Sequence, residues 1–125
     1  MRSMAVIDLM NIVDQRLADI TKLNPSMKVE EFYFEAETGL WCLITIQGNE
    51  GGTIEYEFIE SEDSWKRTDV AAEYAQAALE QVKVMVIVPD QGLADVLMLV
   101  RNYDAEGVSV ADYSFLGLIP LPLTY

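Results

Sequence analysis

The stretch VKVMVIVP, from Val82 to Pro89, decides the fold of this chain. Five apolar residues follow Lys83 without a polar break, and such a strand is typical of a parallel or central position, where both faces of the sheet are covered. The sequence therefore predicts that Lys83 to Val88 lies in the interior of a sheet. Its side chains are predicted to face two helix layers in alternation, with Val84, Val86 and Val88 on one side and Met85 and Ile87 on the other.

The segments on either side of this strand predict helices. Downstream, Asp90 is placed to cap a helix that ends near Tyr103, and GVSVADYSF then returns as a second strand. Lys83 to Phe115 is thus predicted to be a βαβ unit with a right-handed crossover. Upstream, Thr68 is expected to cap a helix from about Asp69 to Gln81, whose alanines suit close packing on a sheet.

The first half of the chain predicts one helix followed by three strands. Between Met4 and Leu23 apolar residues recur at helical spacing, and the Asn-Pro-Ser sequence that follows ends the helix. The predicted buried stripe is Ile7, Met10, Val13 or Asp14, Leu17 and Ile20, widened by Val6, Leu9 and Ile12. From Lys28 the pattern changes to period two, and the runs WCLITIQ and TIEYEFIE follow after glycine-containing turns. These three runs predict an antiparallel meander.

The composition is that of one globular domain. The chain has 125 residues, of which 51% are hydrophobic, enough to bury a core. We therefore expect a single α/β domain over residues 1–125, with a mixed sheet made of the meander and the βαβ unit and flanked by helices. The single cysteine, Cys42, sits in an apolar run and is interpreted as a small buried residue.

Charge and residue types exclude several classes of function. The chain contains no histidine, which removes imidazole catalysis and histidine-ligated metals. With 21 acidic against 8 basic residues the net charge is −13, so nucleic acid is a poor partner. No apolar run approaches the ~18 residues that span a bilayer. We expect a cytoplasmic protein without membrane contact.

One acidic stretch admits two interpretations. TIEYEFIESEDSWKR, from Thr53 to Arg67, carries five carboxylates: Glu55, Glu57, Glu60, Glu62 and Asp63. Strand alternation followed by a hydrated loop accounts for them, and on that basis Glu55 and Glu57 are expected to face solvent and to bind no metal tightly. Glu35 and Glu37 would lie opposite them across a hairpin, where repulsion among four carboxylates favours a bound cation or a basic partner.

The order of helix, meander, helix, strand, helix and strand, together with the segment EYAQAALEQVKVMVIVPDQGLADVLMLVRNYDAEGVSVADYSF, resembles the restriction-endonuclease-like, PD-(D/E)XK nuclease superfamily. The resemblance covers Met4 to Phe115 and implies the core fold of that superfamily. It also implies a site on the second and third meander strands, where an Asp and a Glu-x-Lys motif hold Mg²⁺ and the lysine positions the attacking water.

This chain departs from that motif. Glu55-Tyr56-Glu57 occupies the Glu-x-Lys place with a glutamate instead of the lysine, and LWCLITIQ contains no Asp. Two functions follow. The first, which the missing residues favour, is a non-catalytic protein-interaction module without cofactor. The second is a divergent Mg²⁺-dependent nuclease with Glu37, Glu55 and Glu57 as metal ligands and with Glu55, Glu57 and Lys66 as catalytic residues.

Two further features bear on partners. In SWKR, Trp65 is interpreted as the hydrophobic anchor of the second helix, with Lys66 and Arg67 balancing the preceding acids, although the same residues could clamp a phosphate. The apolar tail, residues 116–125, carries two prolines in LGLIPLPLTY. Left in water it would form an exposed apolar patch, so we expect it to be buried on its own core or in a homodimer. The expected partner is thus a protein or a second copy.

Overall fold

A computed structural model describes residues 7–121, and that part of the chain forms five strands and three α-helices. The helices are Leu9–Leu23 (α1), Val70–Ala78 (α2) and Leu93–Tyr103 (α3). The strands are Lys28–Ala36 (β1), Gly39–Gln47 (β2), Thr53–Ile59 (β3), Lys83–Val88 (β4) and Val108–Asp112 (β5). The predicted α/β class is therefore confirmed.

The strands form one mixed sheet in the order β1-β2-β3-β4-β5. The first three are antiparallel neighbours, which confirms the meander, while β4 runs parallel to β3 and β5 parallel to β4. The segment from β4 through α3 to β5 is the predicted βαβ unit. The interior position of β4 is also confirmed, since β3 and β5 pair with its two sides.

Side chains on the two faces of the sheet form two separate cores. On the face toward α1, the buried residues include Ile12, Val13, Ile44, Ile59 and Ile87, with Met85 partly buried beside them, and Cys42 is buried as predicted. On the face toward α2 and α3, the core includes Phe58, Tyr74, Val84, Val86, Val88 and Val96. Val84, Val86 and Val88 thus face one layer and Met85 and Ile87 the other, as the sequence predicts.

The boundaries of α1 and its buried stripe differ from the prediction. The helix begins at Leu9, where the side chain of Asp8 accepts a hydrogen bond from the backbone N–H of Asn11. Its buried residues are Leu9, Ile12, Val13 and Ile20. Met10 is exposed, because it lies about 100° around the helix from Leu9 and so falls outside the buried stripe. The parts of the prediction on Met4 and Val6 lie outside the described residues.

Neither of the predicted helix caps forms. α2 follows Asp69, whose backbone is left-handed, so Thr68 does not cap it, and the helix ends at Ala78, short of Gln81. The carboxylate of Asp90 accepts hydrogen bonds from the backbone N–H and the hydroxyl of Ser114. The side chain of Asp90 therefore links the segment between β4 and α3 to the segment after β5 and does not cap its own helix.

The predicted burial of the C-terminal tail holds at Leu118, which is buried in the core toward α1. Ile119 and Leu121 are exposed, because the extended chain can turn only one of its sides to the protein. Hydrogen bonds fix it there: Gln15 exchanges two with the backbone of Ile119, and the N–H of Asp8 donates to the carbonyl of Leu121. Residues 122–125 lie outside the described part, and homodimer formation stays a prediction.

Candidate functional site

Glu57 is fully buried, with 0% of its surface exposed, and the prediction that it faces solvent is wrong. α1 lies over this face of β3 and brings the guanidinium of Arg16 to the carboxylate. Arg16 Nε and Nη2 donate to the two carboxylate oxygens at 2.7 Å each. A bidentate pair of this kind uses the acceptor sites that a metal ion would need.

Glu55 lies two residues from Glu57 on the same side of β3 and is half-buried, so it does not face open solvent either. Burial, and next the hydrogen bond to Glu57, raise the pKa of Glu55 to about 7. Burial also acts to raise the pKa of Glu57, but the hydrogen bonds from Arg16 and Glu55 outweigh it and leave that pKa lowered. Below about pH 7, Glu55 therefore keeps its proton while Glu57 stays ionised beside Arg16.

The other residues proposed for a nuclease site lie elsewhere. Glu35 pairs with Leu40, at the opposite end of β2 from Ile46, which pairs with Glu55. Because β2 separates β1 from β3, Glu35 and Glu37 cannot face Glu55 across a hairpin, and that expectation is wrong. Glu37 is exposed in the turn after β1.

Lys66 lies beyond the far end of β3, in the short 3-10 helix Ser64–Lys66, where its Nζ is 2.8 Å from a carboxylate oxygen of Asp63. The structure therefore brings Glu55 and Glu57 together and leaves Glu37 and Lys66 apart from them. Residues 7–121 contain no group of three or more His, Cys, Asp or Glu positioned to hold a metal ion.

The loop after β3 holds a buried polar cluster that the sequence interpretation missed. Glu60, assigned there to a hydrated loop, is fully buried. Its carboxylate accepts hydrogen bonds from Arg67, Ser64 and Tyr74, and Arg67 also donates to Glu73. Burial raises the pKa of Tyr74 well above its ordinary value. Arg67 and Tyr74, a base and a phenol seven and fourteen residues after Glu60, were the signal that could have indicated partners for it.

This cluster is a structural element. Every buried side-chain nitrogen and oxygen among the described residues has a hydrogen-bond partner, so the charges of the cluster satisfy one another. Trp65 is buried in the same region and donates to the carbonyl of Glu62, so its interpretation as a hydrophobic anchor is confirmed. The guanidinium carbon of Arg67 lies 3.6 Å from the ring centroid of Trp41, which joins the cluster to the sheet.

Trp41 belongs to the part of the sheet that the helices leave uncovered. β1 and β2 extend beyond α2, and their side chains on that face stay accessible: Phe32 is 45% and Phe34 43% exposed. Phe34 stacks on Trp41 with ring centroids 5.4 Å apart. We call the open face the surface formed by Phe32, Phe34, Trp41, Leu43 and Tyr56, which the strand register places on one side of the sheet.

A groove connects the open face to α2. It has a volume of about 330 Å³. Its lining residues are Leu43, Tyr56, Phe58, Glu73, Gln76, Ala77 and Glu80. The hydroxyl of Tyr56 donates to Glu80 at 2.8 Å, and Glu73 is paired with Arg67. Glu30 and Lys28 lie on the same side of β1 as Phe32. The apolar surface is therefore edged mainly by carboxylates.

The sequence indicated part of this surface, since period two places Phe32 and Phe34 on one face, but it did not show that no helix covers them.

A search of the helices within residues 7–121 for a membrane span finds none of sufficient length and hydrophobicity. Comparison of the chain with protein-family models, with curated proteins and with solved structures finds no match.

Proposed function

We propose that this chain is a non-catalytic protein-interaction domain on a restriction-endonuclease-like scaffold, and that it binds a basic protein surface through the open face. The scaffold assignment is supported by the order of elements, in which a helix and an antiparallel meander precede a helix and a parallel strand. We place the domain in the cytoplasm, where a lone buried thiol such as Cys42 stays reduced.

The observation that carries the proposal is the contiguous aromatic surface. Phe32 and Phe34 expose nearly half of their surface each, and Trp41 and Tyr56 continue the patch toward the groove. Aromatic residues dominate the centres of protein interfaces, because they bury a large apolar area with little loss of side-chain entropy. A groove beside such a patch gives a partner's side chain a place to enter.

The charge of the domain selects a basic partner. The net charge of −13 and the carboxylates of Glu30 and Glu80 favour a negative potential on this side of the molecule, which attracts a basic surface and repels nucleic acid. A second copy of the chain would carry the same charge. A basic protein therefore matches the open face better than a homodimer does.

Catalysis has weaker support. The nuclease alternative needs the oxygens of Glu57, but Arg16 occupies both at 2.7 Å, and Glu37 and Lys66 lie away from Glu55. The proposal accordingly expects no metal cofactor. Were the nuclease assignment correct, millimolar Mg²⁺ or Mn²⁺ would raise the melting temperature of the wild type and not of Glu57→Gln, as a ligand bound only by the folded state must.

The direct test places a photo-reactive phenylalanine analogue at position 32 and, as a matched control, at position 115. Phe115 is also strongly exposed, at 81%, but it lies outside the open face. Irradiation in living cells of the source organism should cross-link a basic protein from position 32 and not from position 115. The yield should fall in lysate as salt concentration rises.

Three results would contradict the proposal. Equal cross-linking from both positions would show that any exposed position cross-links and that the open face is not a specific binding surface. A cross-link to a second copy from position 32 would assign the open face to a homodimer. Absence of any cross-link at position 32 would remove the open face as a binding surface.

A further inference from the structure

The outer edge of β1 is long and regular. Over the described residues β1 pairs with β2 alone, and all nine of its residues pair in register with no bulge. Exposed edge strands are usually blocked by a proline, a bulge, short length or charged side chains; β1 contains no proline or glycine and no register shift, and its charged residues, three glutamates and one lysine, repel an acidic strand more than a basic one. About half of its backbone N–H and C=O groups thus point away from β2 without a strand to pair with.

The opposite edge of the sheet differs. β5 has five residues against nine in β1, and it ends in the short 3-10 helix Ser114–Leu116. A short strand offers few hydrogen bonds to an added chain. The edge available for strand addition is therefore that of β1.

We propose that the partner of the open face binds by adding an extended basic segment to the outer edge of β1, so that the sheet gains a sixth strand. This inference rests on the proposed function and specifies the partner's conformation. Main-chain hydrogen bonds along the edge hold such a segment, and alternate side chains select its sequence.

The two faces of β1 define which side chains fit. On the open face, an added strand lies beside Phe32 and Phe34; on the other face it lies beside Val29 and Tyr33, which are partly buried against α1. Apolar or β-branched residues therefore have neighbours on both faces.

Acidic residues on both faces set the charge of the segment. Glu30 lies on the open face, and Glu31 and Glu35 lie on the opposite one. Opposite charges in cross-strand neighbours are favourable and like charges are not. Lysine or arginine is thus preferred at positions on either face, while a second copy of β1 would bring its own three glutamates to the same edge.

The experiment uses the full chain and a nine-residue peptide of alternating lysine and valine, the length of β1, labelled with a fluorophore. Two further peptides carry N-methyl groups on the odd or on the even residues, since methylation removes the amide donors along one edge only. We expect one methylated peptide to bind at least about tenfold more weakly and the other to bind like the parent. Hydrogen exchange should slow within residues 28–36.

A variant pair separates strand addition from bulk charge. Glu30→Lys, Glu31→Lys and Glu35→Lys combined reverse three charges on β1, and Glu50→Lys, Asp95→Lys and Glu106→Lys reverse three exposed charges elsewhere. The first variant should lose binding at least about tenfold, and the second should retain most of it.

The possible failures are distinguishable. Equal binding of both methylated peptides would show attraction by charge alone and overturn strand addition. Protection of α2 or of the groove without protection of β1 would do the same, while the proposed function would stand. Failure of every peptide to bind would also overturn the inference. So would a dimer in solution that the three substitutions on β1 dissociate, because it would assign the edge to a second copy.

Discussion

β4 and β1 belong to one sheet, yet their surroundings differ. Val84, Val86 and Val88 of β4 are fully buried under α2 and α3, and Ile87 is buried toward α1. Phe32 and Phe34 of β1 lie on the same face as those valines and remain nearly half exposed. The helices cover β4, β5 and the Phe58 end of β3 on this side and leave the open face uncovered.

The difference separates stability from binding. Apolar area removed from water stabilises a fold by roughly 25 cal/mol per Å², so the covered part of the sheet contributes most to folding. Apolar area left in water contributes less and is available to a partner. β3 forms the boundary between the two, and there the protein buries charged residues, Glu57 against α1 and Glu60 at the end of the strand.

The largest effect is expected from a charge placed in the covered part. Val86→Asp puts a carboxylate at a fully buried site within an apolar core, at a cost of at least about 4 kcal/mol, enough to unfold many small domains. Circular dichroism should show loss of the cooperative thermal transition. The matched control, Phe32→Asp on β1, should unfold cooperatively with a loss of about 1 kcal/mol. A folded Val86→Asp protein would mean that β4 is not enclosed.

The next effect concerns the boundary strand. Arg16→Ala removes the partner of the buried Glu57 carboxylate, and breaking a buried ion pair from one side costs about 3–5 kcal/mol. Urea denaturation at neutral pH should report this loss. Lys66→Ala, which breaks the exposed pair with Asp63, is the control and should cost at most about 1 kcal/mol. Equal losses in the two variants would contradict the buried pair.

A smaller, pH-dependent effect is expected at Glu55, whose pKa burial and Glu57 raise from an ordinary value of 4.5 to about 7. Between these values the folded state keeps a proton that the unfolded chain has released, so this group's stabilising contribution is lost as pH rises from about 4.5 to 7. Glu55→Gln abolishes that loss.

Thermal melts of wild type and Glu55→Gln should therefore diverge with pH. We expect the melting temperature of the variant to rise relative to that of the wild type as pH increases from 4.5 to 7. Glu50→Gln, in an exposed turn, should track the wild type throughout. A constant difference between Glu55→Gln and wild type would show that Glu55 titrates normally.

The smallest effect is expected on the open face itself. Phe34→Ser removes a half-exposed ring that stacks on Trp41, and it should cost about 1 kcal/mol of folding stability. Phe58→Ser, on the same face but buried, should cost about 3 kcal/mol or more. Chemical denaturation of the two variants compares the open face with the buried core on the same side of the sheet. A loss at position 34 as large as that at position 58 would show that the open face is part of the core.

Sequence patterns predicted the elements well where burial is uniform. The unbroken apolar run of β4 and the alternation in β1 and β3 predict strands, regardless of which elements pack on them. Boundaries were predicted less well, as at Asp69 and Asp90, because a cap depends on backbone angles and on distant competing donors such as Ser114 that local sequence does not reveal.

The acidic residues show the limit of local reasoning. Alternation places Glu55 and Glu57 on one side of β3, and it cannot say whether that side meets water or Arg16, which is 41 residues away in the chain. Likewise Glu60 was assigned to a hydrated loop, and its partner Arg67, seven residues away, reaches it only because the chain turns through the 3-10 helix Ser64–Lys66. A charged residue has the same sequence pattern whether water or a buried base satisfies it.

By itself, then, the sequence determined the class of fold, the meander, the βαβ unit and the interior position of β4, because hydrophobic periodicity is a local record of which faces are buried. The tertiary structure alone decided which carboxylates are buried in ion pairs, that Glu37 and Lys66 lie away from Glu55, and that β1 and β2 keep an open aromatic face. Each of these depends on where α1 and α2 come to lie on the sheet, and that placement is set by long-range packing, which no short stretch of sequence specifies.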